Sequence, residues 1–318
     1  MESHSGLVAI TRRILCTLAI LYLAGTALGG IGLGWIALHP PSAKLVPSEE
    51  RNAQAAAREA GVEFRDAEIT TADGVTLRGW FMRPAEANGD AVILLHGISD
   101  NRMGMYGFGK WLVANHYSVL IPDARGHSVS GGFVTYGLKE ADDIHRWVEW
   151  IEAAEHPRCM YGLGESLGAA ELLQALPHEP RFCAIVAESP FASFREVAYA
   201  RLGWPFHAGP WLGRTILRPT VEAGILYVRW KYGLNLEDAS PADAVTGVKT
   251  PVLLIHGTND TNIPPYHSDL IQQRNPASVV VWKVPGAVHT QAHRAAPQEF
   301  ESRVLAWFAE HKPNSLSF

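Results

Sequence analysis

The sequence predicts an α/β fold, a mostly parallel sheet flanked by helices after an antiparallel start. Three observations predict it. Unbroken apolar runs such as Ala91-Val-Ile-Leu-Leu95 and Pro251-Val-Leu-Leu-Ile255 have the pattern of strands buried on both faces of a parallel sheet. Helix-period segments alternate with those runs, the order that builds parallel sheets. Ahead of them, Val62 to Thr70 and Val75 to Arg83 flank Asp73-Gly74, a strong hairpin turn.

The chain of 318 residues has room for one large domain or two ordinary ones. After Arg12 and Arg13, residues Ile14 to Leu38 carry no charge, a run longer than the roughly 20 residues that cross a bilayer as a helix. Residues 1–13 are therefore expected to be a cytoplasmic N-terminus and 14–38 a transmembrane anchor. A cleaved signal peptide is the competing reading, because Gly25-Thr-Ala27 resembles a processing site. Either reading exports the rest, and the paired arginines hold the N-terminus inside, so the domain after His39 is expected on the extracytoplasmic side. Residues 39–61 form a linker, with a Pro-rich spacer from His39 to Pro47 and a helix candidate from Ser48 to Ala60 ended by Gly61.

The main domain is placed at residues 62–312. Within it Ala91 to Leu95, Ser118 to Pro122, Arg158 to Leu163, Cys183 to Ala187, Pro251 to Ile255 and Val279 to Val284 read as strands. Lys139 to Glu155, Leu167 to Leu176 and Pro297 to Glu310 read as helices, the first with Ile144, Trp147, Val148 and Ile151 on one face. Some 60 residues, about 191–250, interrupt the alternation, far more than usual α/β connections of about 2 to 6 residues plus a helix. Nine of the chain's 30 aromatic residues lie there, which suggests a cap whose apolar underside favours an acyl or aromatic substrate group; glue between cap and core is the alternative.

Net charge −5 without Lys/Arg runs argues against a nucleic-acid partner, since phosphate binding needs a concentrated basic face. Three cysteines are too few for a disulfide framework. Cys16 lies in the apolar leader. Cys159 and Cys183 fall in core strands and read most simply as buried thiols, a bond between them needing strand geometry that spacing does not give.

The chemistry centres on Gly164-Glu-Ser-Leu-Gly168, the spacing G-x-S-x-G between a strand and a helix. This is the nucleophile-elbow pattern: a strained serine presents its hydroxyl, and flanking glycines avoid the adjacent strand and helix. A hydroxyl needs a base, and the base an orienting carboxylate. Asp260 and His289 each follow a strand, at the sheet edge where α/β folds place their sites. Glu188 is the alternative acid and His293 the alternative base. His289 and His293 also have a zinc-like spacing, but no Glu lies between them and no third ligand is evident, so no metal is expected. His96, His127 and His256 read as loop-packing residues, and Asp123 and Arg125 as ties between loops.

With the order Ser, Asp, His, the segment from about Val62 to Glu310 resembles the α/β-hydrolase superfamily, specifically its membrane-anchored, esterase- and serine-aminopeptidase-like branch. Further matches are Asp-Gly-Val-Thr-Leu-Arg-Gly-Trp (73–80), His96-Gly97, Asp-Ala-Arg-Gly-His-Ser (123–128), Tyr136-Gly137 and Glu-Ser-Pro-Phe (188–191); Ser128 departs from the more usual Gly. The resemblance implies an oxyanion hole from the backbone N–H groups of Ile98 and Leu167, and no cofactor. A serine nucleophile sets aside the Asp-dependent dehalogenase and epoxide-hydrolase branches. The expected activity is hydrolysis of an ester or thioester with an apolar acyl group, a small-molecule substrate; a peptide bond is second, and a non-catalytic binding protein is the reading from another class.

Overall fold

The apolar runs assemble into an eight-stranded sheet. The computed structural model describes residues 2–312. In chain order the elements are α1 (Glu2–Leu38), α2 (Pro47–Glu59), β1 (Glu63–Thr70), β2 (Thr76–Arg83), β3 (Asp90–Leu95), α3 (Arg102–Ala114), β4 (Ser118–Pro122), α4 (Glu140–Glu155), β5 (Cys159–Glu165) and α5 (Leu167–Ala175). There follow β6 (Phe182–Glu188), α6 (Phe194–Gly203), α7 (Gly209–Arg214), α8 (Arg218–Tyr232), α9 (Pro241–Ala244), β7 (Val252–Gly257), α10 (Tyr266–Arg274), β8 (Val279–Val284), α11 (Ala292–Ala295) and α12 (Pro297–Glu310). The strand order is β1-β2-β4-β3-β5-β6-β7-β8. β1 and β2 are antiparallel, β2 runs antiparallel to β4, and the remaining neighbours are parallel.

Alternation along β3 shows why both faces close. Ala91, Ile93 and Leu95 join one core cluster with Trp147, Leu172 and Leu173, while Val92 and Leu94 join another with Leu112, Phe300 and Phe308. Helices α4 and α5 thus cover one face and α3 and α12 the other. The chain leaves β3 for β4 on one side and then returns to β5 on the other, which creates a switch point between β3 and β5. At such a point the connections diverge and leave a crevice beyond the strands' C-terminal ends.

α3 and α10 are among the helices absent from the sequence-based expectation. α3 begins at Asn101, whose side chain accepts from the Met103 N–H at 2.8 Å, a proper N-cap. Its glycines at 104, 107 and 109 lower helix propensity, yet the fold needs one of them: a Cβ on Gly109 would meet Ile121 Cδ1 at 2.7 Å. α10 is polar through most of its length and buries only His267, Ser268 and Ile271.

The cysteine expectation is corrected. Cys159 and Cys183 are disulfide-bonded across β5 and β6, with Cα atoms 5.8 Å apart. Between these strands the register shifts after Met160: Phe182 pairs with Met160 and Ala184 with Tyr161, so Cys183 is the extra residue. That bulge is set by pairing, which linear spacing does not encode. Cys16 is free and exposed.

The chain divides into two compact units, one of residues 39–194 with 238–318 and one of 1–38 with 195–237. The first is the sheet domain. In the second, α1 is a single helix whose segment Val8–Leu38, 31 residues, is long and apolar enough to cross a membrane. Met1, at the start of the segment expected in the cytoplasm, lies outside the described residues. Of the nine aromatics expected to form a cap, Phe191 and Phe194 are buried in the sheet domain, Phe194 edge-on to Tyr136. Trp204, Phe206, Trp211 and Trp230 are 57, 65, 61 and 81% exposed.

Candidate active site

Ser166 stands between β5 and α5 with φ +51° and ψ −107°, a conformation that L-residues rarely adopt. Its neighbours explain the motif. A Cβ on Gly164 would lie 2.7 Å from the Ala169 backbone nitrogen at the start of α5, and one on Gly168 would lie 2.5 Å from the Leu95 carbonyl oxygen on β3. Any side chain at either position would push the helix off the sheet. The Ser166 N–H is itself tied to the Glu188 carbonyl on β6 at 2.8 Å.

The loop after β8 brings His289 to the serine, with Nε2 2.9 Å from Ser166 Oγ. On the other side of the ring Nδ1 is 2.7 Å from Asp260 Oδ2. Asp260 follows β7, and its Oδ1 accepts from the N–H groups of Asn262 and Ile263, each at 2.9 Å. Burial alone would raise the Asp260 pKa; hydrogen bonds from His256 and His289 and from the Ile263 N–H outweigh it and hold the carboxyl below the usual carboxylate range. An ionised Asp260 keeps the His289 Nδ1 as a donor, which leaves Nε2 to accept a proton from the serine.

The rival residues have other partners. Glu188 Oε1 accepts from the Ala292 N–H at 2.8 Å. Burial pushes its carboxyl up to about 7, although the Ala292 hydrogen bond works the other way. His293 pairs with Glu301 at 3.0 Å and rests against Phe108 and Phe300. His256 lies beneath Asp260 at 3.4 Å and is fixed by Ser268 and by the Ile263 carbonyl. Its support of the carboxylate has one linear signal, the i,i+4 spacing to Asp260.

Gly97 places the loop after β3 beside the serine, since a Cβ there would stand 3.4 Å from Ser166 Cβ. Two histidines shape this loop, which carries Ile98. His96 Nδ1 faces the Gly97 carbonyl at 2.8 Å, and its Nε2 accepts from the Ala124 N–H at 3.1 Å. His127 Nε2 accepts from the Ser99 N–H at 3.2 Å, and its Nδ1 faces the Arg125 carbonyl. Burial lowers both pKa values, that of His127 to about 4, so both rings stay neutral and each acts as one donor and one acceptor. Below them Asp123 takes a forked pair from Arg102 at 2.8 and 3.0 Å, and Arg125 binds Asp143 through two bonds of 2.7 Å and also reaches Asp73.

A strap absent from the sequence reading crosses the same loop. The spacer after α1 lies along the domain: the Ala43 N–H donates to the Ser99 carbonyl at 2.9 Å, Asn101 Nδ2 donates to the Ala43 carbonyl, and Ser42 Oγ accepts from the Ser128 N–H at 2.8 Å. Proline-rich composition suggested a free spacer, and nothing local in sequence marks these long-range bonds.

Residues 92–302 match the alpha/beta hydrolase family, a span that contains the elbow, Asp260 and His289. The chain belongs to the alpha/beta hydrolase family. Among solved structures it is similar to an esterase of Pyrococcus furiosus, at 25% identity over 86% of this chain and 98% of that one, with a TM-score of 0.67. An acylaminoacyl peptidase of Pyrococcus horikoshii shares the fold at 19% identity and a TM-score of 0.59, over 81% of this chain and 43% of that protein. The uncharacterized Bacillus subtilis protein YqkD is 25% identical over 71% of this hydrolase chain and 72% of its own. The uncharacterized peptidase YuxL of the same organism is 25% identical over 77% of this chain, which spans only 38% of that relative.

Proposed function

We propose that this hydrolase is an exported, membrane-anchored serine hydrolase that cleaves carboxylic ester or thioester bonds of substrates with an apolar acyl group. Ser166 Oγ attacks the carbonyl carbon as His289 Nε2 takes the hydroxyl proton. Asp260 holds the ring and stabilises the imidazolium that results. The N–H groups of Ile98 and Leu167 receive the oxyanion, an interaction worth about 3 to 4 kcal/mol per donor in hydrolases of this kind. His289 then gives its proton to the departing alcohol or thiol, and water, deprotonated by the same ring, releases the acid and restores Ser166.

The observation that carries this reading is the unbroken series Asp260 Oδ2 to His289 Nδ1 at 2.7 Å and His289 Nε2 to Ser166 Oγ at 2.9 Å. Similarity to an esterase over nearly that protein's whole length favours an ester substrate. A peptidase is the second reading, favoured by the match to the uncharacterized peptidase of Bacillus subtilis. Export is supported by Arg12 and Arg13 ahead of the apolar run and by the Cys159–Cys183 bridge, since disulfides persist in oxidising compartments.

The test is fluorophosphonate labelling of the full chain in detergent, with mass mapping of the adduct and turnover of p-nitrophenyl esters of increasing chain length. Label on Ser166 and ester turnover are expected, and Ser166→Ala should lower turnover by about 10⁴-fold or more with unchanged circular dichroism. A folded, unlabelled and inactive protein would leave the binding-protein reading, and labelling with cleavage of peptides alone would select the peptidase.

A further inference from the structure

Among the described side chains of α1, from Val8 onward, the buried residues are Thr26, Gly30, Gly34 and Leu38, every fourth residue. This spacing draws one narrow stripe along the helix. α8 meets it with a matching set. A Cβ on Gly30 would lie 2.5 Å from the Thr220 carbonyl oxygen and 2.8 Å from the Gly224 nitrogen. A Cβ on Gly34 would lie 3.0 Å from the Gly224 carbonyl oxygen and 3.2 Å from Val228 Cγ2. Two turns before Gly30 the Tyr22 hydroxyl donates to the Ile216 carbonyl. Residue numbers rise together on both sides, so the helices run parallel, backbone against backbone. Small residues spaced by four, with backbones this close, are the way helices associate in lipid, where apolar side chains gain nothing by hiding from one another.

This seam has a consequence for what surrounds α8. The half of α1 that it grips is the half that continues the apolar run to Leu38, so α8 shares the environment of that half. The faces left open suit lipid. Ile216, Leu226 and Trp230 project from α8 and the turn before it, and Trp204, Phe206 and Trp211 from the segment leading there, while Trp35 is exposed on α1. Tryptophan at this density is what membrane interfaces favour. The charges agree. Each of the three acidic residues of 195–237 is paired inside the unit: Glu196 with Arg214, Glu222 with Arg195 and Arg218, and Glu237 with Arg195. Six Lys/Arg against those three acids give the insertion a positive balance in a chain of net charge −5. Paired carboxylates reduce the penalty of leaving water, and surplus cations suit anionic headgroups.

We infer that residues 195–237 are a second membrane-embedded element: α8, locked to α1 through the Gly30, Gly34 and Gly224 seam, carries the exposed Trp204, Trp211, Leu226 and Trp230 into the lipid around the C-terminal half of α1. The inference rests on the reading of α1 as a bilayer anchor and goes beyond it, because a lone anchor helix would leave the insertion in water. It predicts attachment to the membrane at two places in the chain, ahead of His39 and between Phe194 and Asp238.

The experiment is photocrosslinking of the full chain in mixed phosphatidylcholine–phosphatidylglycerol vesicles that contain a phosphatidylcholine with a diazirine on its acyl chain, followed by peptide mapping. Adducts are expected on α1 and also within 204–230. Adducts on α1 alone would overturn the insertion's role and leave the anchor standing, and adducts on neither would overturn both. Gly30→Leu keeps α1 apolar but opens the seam, so adducts within 204–230 should fall several-fold while those on α1 persist. Undiminished insertion adducts in that variant would show that the seam does not hold α8 in lipid.

Discussion

The sheet domain and the unit formed by α1 with residues 195–237 treat their largest side chains in opposite ways. Trp80, Trp147, Tyr161, Phe300 and Phe308 are buried in the sheet domain, and Tyr161 stacks on Phe308 with ring centres 4.3 Å apart. In the other unit the tryptophans at 35, 204, 211 and 230 stand exposed, and α1 comes closest to α8 at glycines. Exclusion of water fills the first kind of core with bulk. The second arrangement leaves the bulk outside and brings backbones together, which suits a chain whose surroundings are already apolar. One sequence therefore carries two packing rules, and each can be tested without disturbing the other.

The largest effect expected is on chemistry. Asp260→Asn keeps the shape but lets the His289 ring take the wrong tautomer, and turnover should fall by about 10⁴-fold in steady-state ester hydrolysis. Lipid adducts on 195–237 should be unchanged in that variant; a loss of adducts would break the separation between the units. Next in size is Arg125→Ala, which strands Asp143 in the core beneath the site. Urea unfolding should show a loss of about 3 to 5 kcal/mol. Detergent extraction of the protein from membranes should not change with it.

Replacing Cys159 and Cys183 together by serine should lower stability by about 2 to 4 kcal/mol under oxidising conditions, and reduction should then have no further effect. Unaltered stability would mean that the bridge does not form. The smallest effect concerns Glu188, whose carboxyl is raised by burial to about 7. With a folded pKa above the unfolded one, its contribution is fully present below the unfolded value, about 4.3, and is lost as pH rises through about 7. Glu188→Gln keeps an acceptor for the Ala292 N–H and should flatten the urea midpoint over that window, with activity changed by less than about threefold. An unchanged pH slope would mean that Glu188 ionises normally.

The strands are legible in the sequence because β3 and β7 are continuous apolar runs, and Ser166, Asp260 and His289, which the structure brings within hydrogen-bond distance, stand out because each follows a strand. What is not legible there depends on pairing in three dimensions. The Cys159–Cys183 bond follows from a register shift between β5 and β6. α3 contains three glycines that local propensity counts against, although one is required by Ile121 on the neighbouring strand. His127 and His256 act by bracing loops and a carboxylate, roles that depend on partners brought close by the sheet. The aromatics of the insertion were visible as a cluster, but which of them face outward was not, because exposure belongs to the packed helices rather than to the string.

The strap over the Ser99 loop bears on what a cut between α1 and the sheet domain would leave behind. A protease that cut just after Leu38 would shed a hydrolase still wearing Ser42 and Ala43 across Ser128 and Ser99. A cut a few residues later, between Lys44 and Pro47, would leave the strap behind with α1. The sheet domain would then carry a loosened loop at Ile98, beside Ser166. Two cut forms differing by a handful of residues would thus differ in how firmly the Ser99 loop is held.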